Sequence, residues 1–142
     1  MEKVREMREL KIVAQNRTGM LADLTKRISG RGVNIENACA YNAGGDAFFH
    51  LIVSDPDNVR DVLREGEYHV EERNVILMSL ENRPGALSEI AEKFKAEGID
   101  LEYIYGTTSE AGSITNMVFS SANNRKAMEV ARFMLSLSRW GK

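Results

Sequence analysis

Sliding the 142-residue sequence along itself brings two stretches into register at an offset of 66 residues, and this repeat constrains the fold more than any single element does. Asn16-Arg17-Thr18-Gly19-Met20-Leu21 falls on Asn82-Arg83-Pro84-Gly85-Ala86-Leu87, and Gly32-Val33-Asn34-Ile35-Glu36 falls on Gly98-Ile99-Asp100-Leu101-Glu102. Six identities at these turns and strand starts, with no gap, point to a duplication. Two small modules are expected, 1–72 and 73–142.

Each module reads in the same order. Leu10, Ile12 and Ala14 alternate as in a strand, and Asn16 to Gly19 break it. A helix follows, with Met20, Leu21, Leu24 and Ile28 at helical spacing and Gly30 and Gly32 at its end. Val33, Ile35, Cys39 and Tyr41 belong to a second strand, Ala43-Gly44-Gly45-Asp46 makes a hairpin turn, and Phe48 to Val53 returns. Asp55-Pro56-Asp57 opens a second helix with Val59, Val62 and Leu63 on its apolar stripe. Tyr68 to Glu71 makes a last strand, so the module is α+β, a ferredoxin-like βαββαβ unit with its helices on one face of an antiparallel sheet.

The second copy lacks its final strand. After a helix from about 123 to 137 only Ser138-Arg139-Trp140-Gly141-Lys142 remains, which leaves the strand at Val75 to Leu80 with a bare edge. That edge is expected to pair with a partner or with the other module. The last helix carries Met128, Val130, Ala131, Phe133, Met134, Leu135 and Leu137, more than one stripe, so its outer stripe is expected to pack on another copy of the chain.

Composition narrows the function classes. Nineteen Lys and Arg against 21 Asp and Glu give a formal charge of −2, which disfavours a polyanion binder working by bulk electrostatics. No nucleic-acid partner is expected: Phe48 and Phe49 are adjacent and point to opposite faces, and the mildly basic Arg132, Arg139 and Lys142 read as a solvated helix face. One cysteine, Cys39, gives no intramolecular disulfide, and a reducing cytoplasm is the expected compartment. No membrane is crossed, because the longest apolar run is Val75-Ile76-Leu77-Met78. His50 and His69 lack partners at metal-ligand spacing, and no phosphate loop or nucleophile elbow appears. Neither metal, cofactor nor catalytic residue is implied, and no enzyme is expected.

The Asn82-Arg83-Pro84-Gly85-Ala86-Leu87 turn, followed after a helix by Gly98-Ile99-Asp100-Leu101, resembles the ACT domain, a small-molecule-sensing regulatory module, and Asn16 to Ile35 resembles a second, looser copy. The resemblance runs from about residue 8 to 137 and implies a tandem, non-catalytic regulator. It implies modules paired side by side in a continuous sheet, a free amino acid bound at an ACT–ACT interface, allosteric control of an unidentified enzyme or regulator, and a homodimer or higher homo-oligomer.

Physical chemistry gives the turns a reason to bind such a ligand. The amides after Gly19 and Gly85 open a helix at the positive end of its dipole, which suits an α-carboxylate. Candidate site residues are therefore Asn16, Gly19, Met20 and Leu21 in one turn and Asn82, Pro84, Gly85, Ala86 and Leu87 in the other. The resemblance adds Asn34 and Asp100 at the start of the next strands, pairing the Asn82 turn with Asn34 and the Asn16 turn with Asp100; the first pairing is favoured, because Asp100 repels a nearby carboxylate. Arg17 and Arg83 are read as solvated, and Tyr41, Tyr103 and Tyr105 as packing residues. The alternative is a structural oligomerisation module that binds no ligand.

Overall fold

The computed structural model describes residues 4–107 and 110–137. The expected absence of a strand in Ser138–Lys142 falls outside the described residues. In chain order the elements are β1 (Val4–Gln15), α1 (Met20–Ser29), β2 (Ile35–Ala43), β3 (Asp46–Val53), α2 (Pro56–Leu63), β4 (His69–Glu81), α3 (Ala86–Ala96), β5 (Leu101–Gly106), β6 (Ile114–Ser121) and α4 (Asn124–Leu137).

Two compact units result, residues 8–73 and residues 74–142 together with 1–7. Within 8–73 the strands lie in the order β2-β3-β1-β4, and within the other unit in the order β1-β4-β6-β5. Each is the four-stranded, two-helix ferredoxin-like arrangement expected from the repeat. One correction concerns β4, where two strands, Tyr68–Glu71 and Val75–Leu80, were expected. They form one strand of 13 residues, because nothing at Glu72-Arg73-Asn74 breaks the backbone as glycine or proline would. Its first half closes one unit and its second half opens the next.

The bare edge of β4 is covered by the start of β1. Residues up to Met7 group with 74–142, β1 is the hydrogen-bonded neighbour of β4, and Val4 is buried in the same core as Ile76, Met78, Phe94, Phe119 and Leu135. The start of β1 thus supplies a fourth strand to this unit.

Each unit has its own core. Leu10, Ile12, Leu24, Ile28, Phe49, Leu51, Val59 and Leu63 form one. Because β1 and β3 pair antiparallel with Leu10 opposite Leu51 and Ile12 opposite Phe49, alternate residues of both strands meet the apolar stripes of α1 and α2. Asp55 caps α2 by accepting a hydrogen bond from the Asn58 amide at 3.2 Å, and Pro56 follows it where a missing amide costs nothing. An ion-pair cluster ties α2 to both flanking strands: Arg8 meets Asp57 at 2.8 Å and also Glu72, and Arg60 meets Glu72 at 2.8 Å and Asp57 at 3.0 Å. Along α4, Ala127, Ala131 and Leu135 face the second core, whereas Phe133 and Leu137 are exposed.

Candidate functional site

Both Asn-Arg-x-Gly turns fold alike. Gly19 and Gly85 stand immediately before α1 and α3 with φ of 91° and 88°, left-handed values that a residue with a Cβ adopts only at a cost. No side chain caps either helix. The first helical amide is not open as expected: Met20 N–H donates to the Arg17 carbonyl and Ala86 N–H to the Arg83 carbonyl, both at 3.3 Å, closing a tight turn.

Beside each turn lies a cavity, and the two are built from matching positions. Asn16, Arg17, Met20 and Leu21 line the first together with Ala40, Ala47 and Phe49, while Asn82, Arg83, Ala86 and Leu87 line the second with Gly106, Thr115 and Met117. Strand pairing explains the match, since Ala40 stands opposite Phe49 as Gly106 stands opposite Met117. The volumes differ, about 710 Å³ against about 180 Å³. Leu80 lines the smaller cavity where the repeat has Ala14, and the Met117 Sδ lies so close to Gly106 that a Cβ there would meet it at 2.4 Å. Bulk therefore fills the second site.

The asparagines differ as well. Asn82 donates from Nδ2 to the Glu110 carbonyl at 3.1 Å, and its backbone pairs with Ser113 and Gly112, so it is engaged by the β5–β6 connection. Asn16 holds its backbone amide to the Gly45 carbonyl at 2.9 Å and turns its exposed side chain toward the larger cavity. Tyr41 and Asn42 complete that rim.

Asn34 does not line the Asn16 cavity; it borders a separate open groove of about 490 Å³ with Ala22, Thr25, Lys26 and Ser29 of α1, and its backbone exchanges two 2.9 Å hydrogen bonds with Ser54. Asp100 is exposed just ahead of β5. Pro84 and Gly85 shape the second turn without lining its cavity.

Arg83 corrects the expectation of a solvated arginine. Its guanidinium donates to Glu89 at 2.8 and 3.4 Å and approaches Glu81 at 3.4 Å, leaving the side chain 17% exposed and its pKa raised chiefly by the Glu89 bond. In the first repeat the residue matching Glu89 is Asp23, and it is taken by others. The Tyr68 hydroxyl donates to Asp23 at 2.5 Å and Arg27 donates at 2.9 Å, which together hold the carboxyl below its usual range. Burial and that same bond push the Tyr68 hydroxyl up to about 12.

Sequence reasoning missed Ala40, Asn42, Ala47 and Phe49 as lining residues. A bulge between Ile35 and Asn37 shifts the register of β2, so Ala38, Ala40 and Asn42 pair with the core-facing Leu51, Phe49 and Ala47 while Tyr41 and Cys39 pair with Phe48 and His50. It also missed a buried pair on the other side of that sheet, where His50 Nδ1 lies 3.0 Å from Glu9 Oε1 and Nε2 lies 3.3 Å from the Tyr41 hydroxyl. Among the described residues no cluster of three His, Cys, Asp or Glu is placed to hold a metal, and no helix is long and apolar enough to cross a membrane.

Comparisons with known proteins bear on the whole chain. An uncharacterized protein of Methanocaldococcus jannaschii is 37% identical over 59 residues, 40% of this chain and 41% of that protein's length, so the match spans about two fifths of the curated relative. A crystal structure of a Bacteroides thetaiotaomicron protein superposes with a TM-score of 0.84 at 27% identity, covering 92% of this chain and 89% of that one. The ligand-free regulatory subunit of aspartate kinase from Thermus thermophilus gives 0.62 at 11% identity over 94% and 96%, a likeness of fold. The family described as the ACT domain pair matches residues 5–136, and the chain belongs to it.

Proposed function

We propose that the protein is a non-catalytic regulator that binds a free amino acid at the Asn16 turn and alters a separate partner protein. The observation that carries this is the 710 Å³ cavity, which falls within the range of about 300–1,000 Å³ usual for small-molecule sites, whereas its counterpart at Asn82 does not reach it. The proposal thus takes the Asn16 turn as the site in place of the Asn82 turn favoured from sequence. In this reading the helix-opening amide of Leu21 takes the α-carboxylate, the Asn16 carboxamide takes the ammonium, and Met20 and Phe49 form the apolar floor. Gly19 lets the ligand approach the backbone.

Regulation follows if the ligand binds one arrangement of the protein better than another, since equal affinity shifts nothing. A homodimer or higher homo-oligomer in a reducing cytoplasm is part of the proposal, supported by Phe133 and Leu137, 53% and 69% exposed on α4, and by the single cysteine. A thermal-shift screen against the twenty amino acids tests the reading, because a ligand at 100 times its Kd adds about 2.7 kcal/mol of stability. A rise of several degrees for one chemical class is expected. A flat screen with a well-behaved oligomer would instead favour the structural module.

A further inference from the structure

The two turn cavities derive from one repeated motif, so a residue that is locked in one copy and open in the other marks what the open copy does. We propose that the Asn16 cavity takes an acidic amino acid and that Arg17 binds its side-chain carboxylate; this rests on the amino-acid reading above and names the ligand class.

Three replacements separate Arg17 from Arg83. Where Glu81 and Glu89 grip Arg83, the first repeat has neutral Gln15 and the shorter Asp23. Asp23 is drawn away by Tyr68 and by Arg27, whose counterpart Lys93 turns to Glu97 at 3.6 Å instead. Arg17 is left with one hydrogen bond among the described residues, to Glu67 at 3.3 Å. Both of those side chains are largely exposed, 56% and 77%, the kind of pair that contributes little and is readily exchanged.

Charge balance then selects the ligand. Among the described residues Arg17 is the sole charged one lining the 710 Å³ cavity. A neutral zwitterion satisfies the turn amides and Asn16 and leaves that cation with only its exposed pairing to Glu67, whereas a second carboxylate matches it through the paired donors a guanidinium offers. A lysine-like ligand would bring a like charge beside Arg17. On its far side Arg17 borders a separate cavity of about 350 Å³ with Asp23, Arg27, Glu65 and Glu67, where the carboxylates that compete for it lie outside the ligand's space.

Calorimetry on the full chain with L-glutamate, L-aspartate, their amides and L-lysine tests this. At least about tenfold tighter binding of one acid than of its amide is expected, the preference vanishing in Arg17→Gln and the acid tightening in Glu67→Gln, with Arg83→Gln without effect on either. Binding of a neutral or basic amino acid as tight as the acids, or an acid preference that survives Arg17→Gln, overturns this inference and leaves amino-acid binding standing. Binding of no amino acid at all overturns both. Arg17 lies on the surface, so a folded variant is expected, and its far-ultraviolet circular dichroism would be compared with the parent's.

Discussion

Gly19 and Asn16 share one turn and fail in different ways when replaced. A Cβ on Gly19 would meet no atom within 4 Å, so Gly19→Ala costs only the left-handed backbone, roughly 1–2 kcal/mol, and urea unfolding should show a loss of that size. Removing the Asn16 carboxamide takes nothing from the folded chain that the turn needs, since its backbone amide still reaches Gly45. Asn16→Ala should therefore leave the unfolding midpoint in place and weaken amino-acid binding by roughly 1–3 kcal/mol. Asn82→Ala should do the reverse, loosening the hold on Glu110 with little effect on the ligand. Calorimetry and denaturation on the same two variants separate these outcomes, and equal binding losses would place the ligand between neither turn in particular.

The Tyr68–Asp23 bond joins α1 to the residue just before β4, and its titration has a worked sign. Asp23 is held low, so its share of stability is present above the ordinary carboxyl range and is lost as pH falls through the depressed value. Tyr68 is held high, so its share is complete below about pH 10, the ordinary phenol value, and is lost as pH rises toward about 12. Tyr68→Phe should remove the alkaline dependence and weaken the acid one, since Arg27 still holds Asp23. Urea midpoints of parent and variant should differ at neutral pH and converge toward the alkaline end; a constant gap would show that the hydroxyl titrates freely in the fold. This bond was not visible in the sequence, because 45 residues separate its partners and neither stands in a motif. The strands and helices were visible, since alternation, the Gly44-Gly45 turn with both φ positive and the Asp55-Pro56 helix start are local signals. The bulge at Ile35 was not, and it decided which β2 residues line the cavity. Nor did spacing tell that Arg83 would be gripped and Arg17 released, because that depends on Glu81 and Glu89 reaching Arg83 and on Tyr68 reaching Asp23.

At the scale of the molecule, the two repeats are unequal in what they carry. Residues 8–73 hold all four strands of their unit in one continuous stretch, closing with His69–Arg73. Among the described residues the other unit draws three strands from 74–137, and Val4–Met7 supply the fourth. Produced alone, 8–73 should fold, whereas 74–142 should show a bare β4 edge and a core without Val4, a loss of about 1.5–3 kcal/mol from that side chain alone. A fragment in which a flexible linker carries residues 1–7 after Lys142 restores the βαββαβ order and should recover both stability and a single-species sedimentation profile. Urea unfolding and sedimentation of the three fragments measure this directly. If 74–142 proved as stable and as monodisperse without the first seven residues as with them, the start of β1 would be an ornament on a complete three-stranded unit. Recovery of the linked form, with association of the bare form, would show that the start of β1 completes the sheet of this unit.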